Sequence, residues 1–188
     1  MPDEHFIIAP DEPTLSFIGF VRPNVGAIPP MAELQAMWWL ERVRGRCAGP
    51  SRGAWGRRCY KLLGAKHQYS VDYGMYMHEL ARDIGALPPP LALLRRSPRA
   101  WWTYAMGQAF VSHFRLFGPY AHARAWDTAA RELCATTLRR GAQANAVFVA
   151  MNVFLAGVNG AFALVDLALW RPAYAATCAL RRAFRLGV

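Results

Sequence analysis

Between Arg140 and Arg171 the chain carries a single charge, Asp166. No other feature constrains the fold as much, because ~20 consecutive apolar residues suffice to cross a bilayer core. Ala142 to Trp170 reads as one apolar helix. At ~1.5 Å per residue it would be ~43 Å long, more than the ~30 Å hydrocarbon thickness. Within it Asn145, Asn152, Asn159 and Asp166 recur every seven residues. A helix falls ~20° short of two turns per heptad, so the four form one slowly drifting polar stripe. Two readings follow: a membrane helix whose stripe meets partner helices, or a surface helix of a soluble domain with the stripe in water. The narrow stripe and the flanking arginines favour the membrane. Arg139 and Arg140 on one side, with Arg171, Arg181, Arg182 and Arg185 on the other, leave its orientation open.

Charge divides the 188 residues unevenly. Residues 1–90 hold ten Lys+Arg and nine Asp+Glu, a net of +1; residues 91–188 hold twelve Arg and three acids, a net of +9. A basic half of this kind suits an acidic partner, lipid headgroups before nucleic acid. With 54% hydrophobic residues the chain is too apolar for intrinsic disorder. Its four Cys, at 47, 59, 134 and 178, are too scattered for a disulfide scaffold. The acidic start, Met1-Pro2-Asp3-Glu4-His5, is no signal peptide. The thiols are therefore expected to be reduced, in a protein facing the cytosol.

Pro and Gly punctuate the rest. Thr14 to Phe20 is β-branched and aromatic and predicts a short buried strand. Val21 to Pro30 is a loop, and Pro29-Pro30 opens a helix through Val43 that Gly45 closes. Residues 44–58 form a Gly/Arg-rich loop. A helix from about Met75 to Ile84 ends at Gly85, before Pro88-Pro89-Pro90. Ser97 caps a further helix with Pro98 in its first turn, Gly118-Pro119 is a break, and Arg124 to Arg140 is helical again. The expected fold is mainly α with a few short β-strands, divided into 1–140 and a 141–188 apolar helix with a basic tail.

Sites that chemistry usually requires are missing. No two Gly are separated by one residue, so neither GxGxxG nor a Walker A loop exists, and no Ser sits in GxSxG. His5, His67, His78, His113 and His122 lack zinc-ligand spacing. Arg95-Arg96 beside Trp101-Trp102 fits a helix end with a buried Trp pair better than a nucleic-acid clamp. No catalytic or metal residue is assigned.

Three segments, in order, carry a resemblance. Phe17-Ile18-Gly19 precedes Glu33-Leu34-Gln35-Ala36-Met37-Trp38; Val71-Asp72-Tyr73 leads into Tyr76-Met77-His78-Glu79-Leu80-Ala81 and Ile84-Gly85; Phe114-Arg115-Leu116-Phe117-Gly118-Pro119 follows. Together, over about residues 10–130, they resemble the flavin-containing monooxygenases of dimethylaniline monooxygenase type. Met37 stands where that family usually has Arg, and the Gly-Lys-Trp that often follows the third motif is absent.

The resemblance implies the C-terminal portion of an α/β flavoprotein with two dinucleotide-binding domains. It implies FAD and NADPH as cofactors and a small molecule with a soft nitrogen or sulfur as substrate. The family's cofactor fingerprints lie N-terminal to its Phe-Ile-Gly strand, near which this chain starts. A truncated gene model, a split enzyme completed by a partner chain, or a decayed paralogue is therefore expected, inactive alone. Val25, Gly26, Ala27 and Ile28, at a helix N-terminus, are the expected flavin contacts. The rival reading is a non-enzymatic, basic, membrane-associated helical protein; on either reading the chain is expected at a membrane, facing the cytosol, with the endoplasmic reticulum as one candidate.

Overall fold

The computed structural model describes residues 5–9, 11–12, 14–24, 26–47, 60, 66–67, 69–165 and 168, and their side chains except those of 152 and 155–165. Val25, most of the 44–58 loop, Cys59, Asp166, Arg171 and Cys178 lie outside them. The chain divides into two units, 1–141 and 142–188.

In the first unit Pro29 and Pro30 fall in the opening turn of α1 (Ile28–Val43), where a missing N–H costs nothing. Gly45, at φ +68°, ends it as expected. Met31, Leu34 and Trp38 recur at helical spacing along α1 and are fully buried. They pack against Tyr76, Met77 and Leu80 of α2 (Tyr73–Asp83). The second helix begins two residues earlier than Met75 because Asp72 caps it, its Oδ1 accepting from the Met75 N–H at 2.9 Å.

A minimal parallel ladder holds the loop before α1 to the start of α2. Strand β1 (Arg22–Pro23) pairs with β2 (Ser70–Val71). Arg22 and Asn24 donate to Tyr69 and Val71 at 3.1 and 3.0 Å. The intervening Pro23, which has no N–H, therefore sits where none is required.

Beyond α2 the chain builds a second, smaller core. Pro90 opens a helix, α3 (Pro90–Arg96), where the sequence reading placed only a stop. Ser97 accepts from the Ala100 N–H and starts α4 (Pro98–Met106), as its Ser-Pro pair indicated. A 3-10 turn (Val111–Arg115) then leads to α5 (Ala123–Asp127), a π turn (Thr128–Glu132) and α6 (Leu133–Arg139). The expected helix over 124–140 is thus present with an extra residue wound into its middle. A π turn puts the carbonyl ladder out of step, and Thr103 of α4 offers its hydroxyl to the Ala129 carbonyl at 3.2 Å.

One expectation is corrected. Thr14 to Phe20 is not a buried strand. Only Ser16 bridges, antiparallel, to Ile8, and Leu15, Phe17, Ile18 and Phe20 are exposed, Phe20 at 56%. A strand requires partners on its edges, and only the short 7–9 segment supplies one among the described residues. The 142–188 unit contains the expected apolar helix, α7 (Ala142–Val165). Yet among the described residues no helix is long and apolar enough to cross a membrane.

Candidate functional site

The loop expected to meet a cofactor is clamped where it begins, at Asn24. Asn24 donates through Nδ2 to Asp72 Oδ2 at 2.9 Å and accepts the Tyr73 N–H at 3.1 Å. Gly26 then takes φ +106°, a conformation that L side chains rarely adopt. A Cβ built there would lie 2.6 Å from the Tyr73 ring. That ring is fixed at its far end, where the Tyr73 hydroxyl donates to the Ala109 carbonyl at 2.7 Å, and burial raises its pKa. The close approach that Gly26 permits is therefore made by the chain's own tyrosine.

Ala27 is the N-cap of α1 and has no side-chain cap bond. Because Pro29 and Pro30 lack N–H groups, Ile28 supplies the only amide donor of the first turn. The helix terminus thus offers fewer donors than a first turn ordinarily does. Gly26, Ala27 and Ile28 are exposed, and none of their three N–H groups has an acceptor among the described residues. Beside them stands an uncovered apolar face of Leu15, Phe17, Ile18, Phe20 and Ile28. Its rings touch, Phe17 to Phe20 at 5.9 Å and Phe20 to Tyr69 at 5.3 Å between centroids. Of the four expected contact residues, Val25 lies outside the described residues and the other three adjoin this face.

The segments that looked like one family's motifs turn out to hold one another. Gln35 is completely buried. Its Oε1 accepts the Gly19 N–H at 2.7 Å, and its Nε2 donates to Tyr76 Oη at 2.7 Å. Glu33 pairs with Arg115. A Cβ on Gly118, at φ +81°, would sit 2.6 Å from the Gly85 carbonyl oxygen. Each motif thus supplies a group that another requires.

Sequence reasoning missed three polar groupings. His5 Nε2 lies 2.7 Å from Asp83 Oδ2 and His5 Nδ1 3.0 Å from Tyr60 Oη, while Trp38 Nε1 donates to Asp83 at 3.1 Å. His5 and Asp83 are buried and 78 residues apart in sequence, so no local pattern could pair them. Glu41 is buried too. Desolvation pushes its carboxyl up, but the Tyr120 hydroxyl at 3.0 Å and the Arg46 and Arg44 guanidiniums hold it below the usual carboxylate range.

In the third grouping burial, with a smaller contribution from His78, lowers His113 to about 4. Its Nδ1 accepts the Phe110 N–H at 3.3 Å. The neutral ring therefore carries its proton on Nε2, toward Thr103 Oγ1 at 3.2 Å. Nearby, burial pushes Tyr104 up to about 12, and its hydroxyl lies 2.9 Å from His78 Nε2. All three groupings lie inside the packing and lock it.

Comparison with known proteins gives consistent matches. The sequence model described as flavin-binding monooxygenase-like matches residues 4–167. Monooxygenase ptmN of Penicillium ochrochloron is 36% identical over 132 residues, which is 70% of this chain and 21% of that protein. Monooxygenase cfoE of Aspergillus candidus is 33% identical over 170 residues, 85% of this chain and 28% of its own length. Flavin-containing monooxygenase 3 of Rattus norvegicus is 34% identical over 116 residues, 58% of this chain and 22% of its own. The chain therefore spans between a fifth and three tenths of the length of these relatives.

Proposed function

Because the chain belongs to the flavin-binding monooxygenase-like family, we propose that it forms the flavin-facing part of an FAD- and NADPH-dependent monooxygenase. The observation that carries this reading is the juxtaposition of three exposed, unpartnered amides with the apolar face of Phe17, Ile18, Phe20 and Ile28. A flavin ring has the same two-part character, an aromatic plane and a polar edge rich in acceptors. The residues present fit it.

In this reading Ala27 and Ile28 donate to the polar edge, and the Phe17–Phe20 face covers the plane and excludes water. Tyr73, held by Ala109, keeps the loop at a fixed height beneath them. Reduced flavin supplies the activation of O₂, with NADPH as the reductant. The substrate is a small molecule with a soft nitrogen or sulfur. The Gly-rich phosphate-binding turns this chain lacks come from other polypeptide, as upstream sequence or as a partner chain.

The test pairs this chain with the part of a family relative that lies outside the match, by co-expression, and reads flavin absorbance in the purified complex. Ile28→Pro removes the last first-turn N–H at a position where proline suits the helix, after an Ala27 that is already extended. Wild type and Ile28→Ala should retain flavin, and Ile28→Pro should lose it. Equal retention by all three would overturn the assignment of this loop.

A further inference from the structure

A cavity of about 360 Å³ is walled by Glu33 of α1, the 3-10 turn, α5 and Thr128, and shares no residue with the candidate flavin face. Its polar lining is one-sided. Glu33 is its only acid and is already joined to Arg115. Arg124 is exposed and has no carboxylate partner among the described residues. Neither the Ser112 nor the Thr128 hydroxyl has a hydrogen-bond partner among them. His122 accepts the Arg124 backbone N–H on Nδ1 at 3.2 Å, so its neutral ring presents an N–H at Nε2. Arg115 engages Glu33 through Nη2, and its Nε has no acceptor. The uncommitted groups are therefore donors or hydroxyls, and two of them are guanidinium ions.

We propose that this cavity binds a small oxyanion, a phosphate or a carboxylate, held chiefly by Arg124 with Arg115, His122 and the Ser112 and Thr128 hydroxyls around it. Guanidinium groups match both anions through paired, charge-assisted hydrogen bonds. Hydroxyls complete the shell of a tetrahedral or planar oxyanion at little cost, since each turns to suit. The surplus of arginine over residues 91–141, eight Arg against two acids, raises the local anion concentration. It does not by itself create a site; the convergence of donors on one concavity does. The site is independent of the flavin assignment, since it uses none of residues 25–28.

The test is calorimetric titration of the full chain with inorganic phosphate and with acetate, at constant ionic strength set by chloride. A saturable single-site isotherm is expected for at least one of the two. The tighter-binding of the two marks the ligand as phosphate-bearing or carboxylate-bearing. Arg124→Gln, a surface change, should weaken that binding about tenfold or more. Arg131→Gln removes the same charge outside this cavity and should leave affinity unchanged. Thermal unfolding gives a second readout: the bound anion should raise the midpoint of wild type, but not of Arg124→Gln, relative to chloride. No saturable binding of either anion, or equal weakening by both variants, would overturn the proposal.

Discussion

Gly26→Ala separates a glycine kept for the fold from one kept for a ligand. At φ +106° any side chain is strained, at a cost of about 1–3 kcal/mol. The new Cβ would also lie 2.6 Å from Tyr73 Cδ2 and 2.8 Å from Cγ. Ordinary contact needs about 3.5 Å, so the ring must retreat by nearly an ångström. It cannot do so freely, because its hydroxyl is bound to Ala109 at 2.7 Å. Forced repacking of this kind costs about 1–3 kcal/mol. The variant should therefore lose about 2–6 kcal/mol in the chain alone, with no cofactor present. Urea unfolding followed by near-ultraviolet circular dichroism reads this directly. Tyr73→Ala removes the obstacle but leaves the backbone strain. The double variant should accordingly be about 1–3 kcal/mol less destabilised than the sum of the singles. Additivity within about 0.5 kcal/mol would refute the steric argument. So would a Gly26→Ala chain of unchanged stability that fails only to retain flavin.

Four further outcomes are expected. Asp83→Ala strands the His5 and Trp38 donors inside the core and should cost about 3–5 kcal/mol by urea titration; a loss under about 1 kcal/mol would show that the cluster is not structural. His113, held neutral by a folded pKa of about 4 against 6.5 free, binds fewer protons folded than unfolded. Its stabilising contribution is therefore full above pH 6.5 and lost as pH falls toward 4, by roughly 3 kcal/mol, and His113→Gln should flatten stability over that window. Without Gly-rich turns the purified chain should not couple NADPH oxidation to sulfoxidation of a thioether, as product analysis would establish. On the apolar run and basic flanks of 142–188 we expect the chain to resist carbonate extraction from membranes of expressing cells; complete release, unaltered by deleting that segment, would count against an anchor.

The sequence by itself determined several helix ends, although it missed α3 and began α2 two residues late. Pro29-Pro30, Ser97-Pro98, Gly45 and Gly85 act within one or two turns of backbone, so their effect is local and can be read from order alone. It also carried the family, because three spaced motifs survive as letters. Their purpose is tertiary: Gln35 reaches Gly19 and Tyr76, Glu33 reaches Arg115, and Gly118 rests on Gly85. The reading of Thr14 to Phe20 failed because an apolar, β-branched run states only a preference to be covered; whether anything covers it depends on distant chain. Gly26 shows the same division. Its sequence context predicts a close neighbour, and only the folded chain discloses that the neighbour is Tyr73, because close approach is a property of space and not of order.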